Sequence, residues 1–172
     1  LYELKLREAQ SKEIEGFNYS DAIYLITPDR FSNGNTTNDN LKGYDDKLNR
    51  EDDYGRHGGD LEGIISQLEY IQWLGFTAIW LNPLLENNMP KYSYHGYAIT
   101  DFYKVDPRFG NNELYRDLAD SCKKLGLKLI MDQIVNHCGS EHRWVANPPF
   151  SDWFNHQGKY KKTNHYHSLS LD

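Results

Sequence analysis

Three short, mainly apolar runs alternate with two stretches of helical period along this chain. Ala22, Ile23, Tyr24, Leu25 and Ile26 follow one another and stop at Thr27 and Pro28. Residues 77–81 repeat the pattern and stop at Asn82 and Pro83, and residues 127–131 repeat it once more after Gly126. Short apolar runs bounded by turn formers read as buried strands. Between the first two, Leu61, Ile64, Ile65, Leu68 and Ile71 recur at helical spacing. Asp60 is a suitable N-cap for that helix and Gly75 a C-terminal stop. Between the second and third, a helix over about residues 112–125 puts Leu114, Leu118, Cys122 and Leu125 on one face. Lys123 and Lys124 suit its C-terminal dipole.

The order is strand, helix, strand, helix, strand, which predicts a parallel sheet with right-handed crossovers. Successive strands begin near residues 22, 77 and 127, a wider spacing than the roughly thirty residues per unit of a plain eight-stranded barrel. The excess lies in connections that follow strands: 28–59, a long polar loop, and 83–111, which carries Tyr92, Tyr94, His95, Tyr97, Phe102 and Tyr103; loops of that length in compact domains are commonly functional. Residues 1–20 show no period and read as a lead-in or linker. After His137 the periodicity disappears again. The chain therefore divides into 1–20, 21–137 and an irregular excursion over 138–172.

The 172 residues suffice for one domain and one sizeable core. The chain starts at Leu1 without Met, signal peptide or apolar run of membrane-spanning length, which predicts a piece of a longer polypeptide with no membrane span. The net charge of −6 argues against nucleic acid as a partner. Cys122 and Cys138 make no disulfide framework and do not fix a compartment; a periplasmic or extracytoplasmic setting ranks ahead of a cytoplasmic one. Thirteen Tyr, seven Phe and four Trp supply flat apolar faces, many with a polar tip, which suit sugar rings as well as cores.

Candidate chemistry begins where the third run ends. Asp132, Asn136 and His137 arrive within six residues of each other among apolar neighbours, and the carboxyl ends of parallel strands are where α/β proteins bind ligands. The plainer alternative makes Asp132 a turn cap and His137 a satisfied core histidine. Residues 33–39 carry several side-chain oxygens, a composition suited to a hard cation such as calcium. The spacing is not that of an EF-hand, and an Asn-rich solvated turn with Asp60 as a simple helix cap is the alternative. His142, His156, His165 and His167 with Cys138 lack paired zinc-ligand spacing, so a sugar-cleft wall is the preferred reading.

Four stretches together resemble the α-amylase superfamily of glycoside hydrolases, in particular its neopullulanase and cyclomaltodextrinase branch. They are residues 28–34 (Pro28 to Gly34), 58–61 (Gly58 to Leu61), 95–110 (His95 through Tyr97, Asp101 and Asp106 to Gly110), and 132–137. The resemblance implies an α/β fold, a partial TIM (β/α)8 barrel made of the first three strands plus the start of the domain inserted after strand three. It implies a substrate of α-1,4-glucan, cleaved with retention. Tyr97 then forms the floor under the attacked sugar, His95 and His137 contact it, and Asp132 supports the site from behind. Asn136 orients neighbours, and Asp101 and Asp106 order the loop around Tyr97. The implied Ca2+ ligands are Asn33, Asn35, Asn38, Asp39, Gly58 and Asp60. The family's carboxylate nucleophile and acid have no counterpart in residues 1–172, so this chain alone is expected to release no reducing sugar. The resemblance is also compatible with a transglycosylase or isomerase, or with a non-catalytic glucan-binding relative, and it implies a homodimer of the parent protein.

Overall fold

The structure, a computed structural model, describes Leu6 and residues 16–155. Three parallel strands form its centre: β1 (Ile23–Ile26), β2 (Ala78–Leu81) and β5 (Lys128–Met131), in the spatial order β1-β2-β5. The registers align Tyr24, Ile79 and Leu129 in one row and Ile26, Leu81 and Met131 in another on the same face. That face packs on the helices, where Ile26, Leu61, Ile64, Leu68, Ile71, Ile79, Leu81, Leu118 and Cys122 make the core.

The three runs form the strands they were read as, but the described elements bury only one face of the sheet. Side chains alternate along a strand, and the second face carries Ile23, Leu25 and Trp80, of which Leu25 is 58% exposed. No described helix covers it. β5 is half-buried throughout, as one edge of the sheet.

The helix expected over residues 60–75 is two helices, α2 (Leu61–Ser66) and α3 (Leu68–Trp73), with Gln67 out of helical geometry between them. The Ser66 hydroxyl donates to the Gly63 carbonyl (2.7 Å) and the Gln67 amide to Ile64 (3.0 Å), tightening the turn at the break. The apolar stripe survives, with Leu61, Ile64, Leu68 and Ile71 all buried. α4 (Asn112–Lys124) matches its expected span, and its N-cap Asn111 accepts from the Leu114 amide at 2.8 Å.

Both long connections contain structure that periodicity does not reveal. A single helical turn, α1 (Pro28–Phe31), follows β1. β3 (Leu85–Glu86) pairs antiparallel with β4 (Asp101–Val105), with an irregularity between Leu85 and Glu86. A 3-10 turn, Ser93–His95, lies between them. Under it, Asp106 and Arg108 form a buried ion pair (2.8 Å) that also holds the Asn87 backbone. The excursion after residue 137 includes α5 (Arg143–Ala146) and packs back on β4: His142 and Trp144 both lie against Phe102.

Candidate active-site floor

The polar end of the sheet is built by strand parity. Asp132 lies two residues beyond Ile130 and therefore on the same face as Ile130, Trp80 and Leu25. Its Oδ2 accepts the Tyr97 hydroxyl at 3.0 Å and the Trp80 indole N–H at 3.3 Å. Tyr97 arrives by another route. Gly96 adopts φ 82° after the 3-10 turn, and a Cβ there would meet the Pro83 carbonyl oxygen at 2.1 Å, so only glycine lets the turn lie against the end of β2.

Two histidines flank Tyr97. The Tyr97 amide donates to His95 Nδ1 at 2.9 Å, which requires Nδ1 without a proton, and burial pushes the His95 pKa down in agreement. The His95 ring lies nearly parallel to that of Tyr97, with centroids 5.8 Å apart. His137 Nε2 contacts the Tyr97 carbonyl at 3.0 Å; a carbonyl only accepts, so Nε2 carries the proton. Burial, and then the hydrogen bond to the Asp132 carboxylate, raise the Tyr97 pKa, so the phenol keeps its proton and acts as a donor. The arrangement offers a half-exposed aromatic face, a carboxylate behind it and two imidazoles beside it. Tyr97, Asp132, His95 and His137 thus converge. Asn136 is exposed and joins no hydrogen bond among the described residues. Trp80 is the member that sequence reasoning missed; it reads as one more apolar residue in a strand.

The six residues of the expected cation site converge only in part. Asn33 donates to Asp39 Oδ1 at 2.8 Å, and Gly58 (φ 85°) packs so tightly that a Cβ would meet that oxygen at 2.4 Å. The Oδ1 atoms of Asn33 and Asn38 are buried without a hydrogen-bond donor. Asn35 and Asp60 are engaged elsewhere. The Asn35 side-chain Oδ1 accepts from the Thr37 amide and hydroxyl. Asp60, fully buried, accepts from the amides of Gly34, Asn35 and Gly63 and from the Asn38 side chain, clamping the loop to the start of α2. Asp29, also missed, holds the Gly58 turn by accepting from the His57 and Gly58 amides, with Arg56 3.5 Å away. Among the described residues no three His, Cys, Asp or Glu side chains group as metal ligands. His142 is buried and its Nδ1 accepts from the Trp144 amide; His156, His165 and His167 lie outside the described residues. No helix among the described residues is long and apolar enough to cross a membrane.

A parallel βαβαβ sheet with a polar cluster at its carboxyl ends has the architecture of one sector of a β/α barrel. The family described as "Alpha amylase, catalytic domain" matches residues 25–168, and the chain belongs to that family. It is 40% identical over 141 residues to the beta/alpha-amylase of Paenibacillus polymyxa, covering 80% of this chain and 12% of that protein. It is 36% identical over 142 residues to the cyclomaltodextrinase of Thermoanaerobacter pseudethanolicus, covering 77% of this chain and 24% of that protein. The crystal structure of an Anoxybacillus alpha-amylase superposes with a TM-score of 0.72 at 43% identity, covering 80% of this chain and 29% of that one. The chain is thus a part of the α-amylase TIM barrel; among the described residues it forms an open parallel sheet of three strands and not a closed barrel. It spans about a quarter or less of the length of these two curated relatives.

Proposed function

We propose that this chain cradles the substrate in an α-glucan hydrolase that cleaves α-1,4-glucosidic bonds with retention. The observation that carries the reading is the group of Tyr97, Asp132, Trp80 and His137 at the carboxyl ends of parallel strands in an α-amylase-family chain. The Tyr97 ring face supports the pyranose, and such aromatic contacts contribute roughly 0.5–1.5 kcal/mol beyond burial. Asp132 fixes the ring through its hydroxyl, and His95 and His137 offer polar contacts to sugar hydroxyls. The two carboxyl groups of a retaining mechanism, about 5–5.5 Å apart, come from outside this site. Residues 138–155 begin an inserted domain that walls the cleft.

The Asn33, Asn38 and Asp39 side chains with the Gly58 carbonyl fit a calcium ion, because two buried amide oxygens there have no donor. Bound calcium would supply fixed positive charge for those oxygens. Asp60 then acts as the clamp of the loop.

Two measurements test the reading in the full-length protein carrying this chain. Tyr97→Ala should weaken maltooligosaccharide binding about tenfold, the ~1.4 kcal/mol expected from a lost stacking face. A wild-type protein that neither binds nor cleaves maltooligosaccharides refutes the assignment, and transfer products in place of hydrolysis assign a transglycosylase. Separately, saturating calcium should raise the Tm and chelator lower it; an unchanged Tm removes the metal.

A further inference from the structure

The turn that presents Tyr97 is gripped at its first residue. Ser93 is buried, and three of its atoms are held. Its amide and hydroxyl both donate to Asp46 Oδ2 at 2.8 Å, and its carbonyl accepts from the Asn87 side-chain amide at 3.3 Å. Asp46 and Asn87 come from the two long connections. Buried Arg108 ties them together, donating to the Asp46 carbonyl at 3.3 Å and to the Asn87 carbonyl at 2.7 Å. From Ser93 the hold passes along the chain. The Gly96 amide donates to the Ser93 carbonyl at 3.2 Å, Gly96 is wedged against Pro83, and the Tyr97 amide donates to His95 Nδ1.

The backbone shows why the turn needs that grip. Tyr92, at the N-cap position of the 3-10 turn, has φ 61° and is the only non-glycine residue at positive φ among the described residues. A bulky L side chain is disfavoured there. Its ring meets that of Tyr54 edge to face at 5.7 Å, yet the two are 53% and 62% exposed, so little apolar area leaves water to offset the cost. Outliers of this kind persist only where the surroundings hold them. Tyr92 also gives its own turn no side-chain cap. The Asp46 carboxylate fills that role from 47 residues away, satisfying the leading amide of the turn.

We propose that Asp46 is a positioning residue for the sugar floor. Its carboxylate caps the turn from another connection, holds Tyr92 in its left-handed conformation, and so fixes where the Tyr97 ring lies under the pyranose. The proposal rests on the α-glucan reading above. Asp46 itself touches no sugar in this role; it acts through Ser93 and then Tyr97. Two consequences separate the role from a general contribution to stability. Both Ser93 donors share one oxygen, so Asp46→Asn, which keeps an acceptor oxygen, can still receive them. Glycine adopts positive φ at no steric cost, so Tyr92→Gly removes the strain that Asp46 offsets.

The test titrates hydrolysis-resistant thio-linked maltotriose into the full-length protein by calorimetry, with the Tm of every variant recorded. Asp46→Ala should weaken binding about fivefold, the usual cost of a lost cap, and Asp46→Asn by less than about twofold. Adding Tyr92→Gly to Asp46→Ala should restore binding to within about twofold of Tyr92→Gly alone. In a Tyr97→Ala background Asp46→Ala should cost nothing further, because its effect passes through that ring. Ser93→Ala removes only the hydroxyl donor, and this milder variant carries the same cycles if Asp46→Ala does not fold. Wild-type binding by Asp46→Ala, a loss that Tyr92→Gly does not restore, or an equal loss in the Tyr97→Ala background overturns the assignment and leaves the glucan reading standing. A wild-type protein that binds no maltotriose refutes the glucan reading, and the positioning role with it.

Discussion

Asp21 and Asp132 occupy opposite ends of the same sheet. At the amino ends of the strands, Asp21 accepts from Lys128 Nζ (2.8 Å), the Asn18 amide (2.7 Å) and the Thr77 hydroxyl (2.9 Å), so one carboxylate ties β1, β2 and β5 together. The Lys128 hydrogen bond, followed by those of Asn18 and Thr77, lowers its pKa from 3.8 to about 2. A carboxylate with a depressed folded-state pKa stabilises fully above its unfolded value and loses that contribution as pH falls through the folded value. The stability gap between wild type and Asp21→Asn should therefore be constant above pH 3.8, shrink below it and vanish near pH 2. Urea unfolding at stepped pH measures it, and a gap that widens on acidification contradicts the assignment. Asp132, at the carboxyl end, receives only the Tyr97 hydroxyl and the Trp80 indole among the described residues. Its partners belong to the candidate site, which is where strand ends in α/β folds carry function.

At the scale of elements, α2 shows how tertiary contact reverses a local preference. Gly63 lies in its first turn, and Ala there favours a helix by about 1 kcal/mol on propensity alone. A Cβ on Gly63 would sit 1.9 Å from the Ser32 carbonyl oxygen, which is backbone and cannot swing aside. Gly63→Ala should thus destabilise by about 1–3 kcal/mol, the usual cost of overpacking. Thermal unfolding reads the sign: a raised Tm means the loop after α1 yields freely. α4 was legible because its cap, stripe and terminal lysines agree. The break at Gln67 was not, since Gln is a good helix former and the cause lies in neighbouring hydrogen bonds. The β3–β4 pair joins two residues to a strand that begins fifteen positions further on, too short and irregular for a period-two signal. Trp80 was hidden in an apolar run, although parity from Asp132 back through Ile130 places it on the same face. The meeting of Tyr97, His95 and His137 rests on the Gly96 turn, and it entered the sequence reading through resemblance rather than through spacing.

At the scale of the whole molecule, the helices among the described residues cover one face of the sheet, and no other described element covers Leu25 and Trp80 on the second. Leu25 and Trp80 are 58% and 39% exposed in neighbouring positions of β1 and β2, and Ile130 continues their row on β5. Among the described residues β1 and β5 each pair with β2 alone, so each presents an unpaired edge. Open edges beside an apolar face are templates for association. In a closed barrel both liabilities disappear, because strands pair on each side and the inner face is filled by layers of side chains. The 172-residue chain on its own should therefore bind the dye ANS strongly and self-associate as its concentration rises. Leu25→Lys, which charges the exposed row without touching the helix-covered core, should reduce both effects. The energetic scale is set by apolar burial at about 25 cal/mol per Å², so even two such side chains contribute on the order of 2–4 kcal/mol when covered. Sedimentation across a hundredfold concentration range distinguishes the outcomes. A monodisperse monomer without ANS binding would mean that residues outside 16–155 cover the inner face, and the same Leu25→Lys variant would then lower the Tm instead of improving solubility.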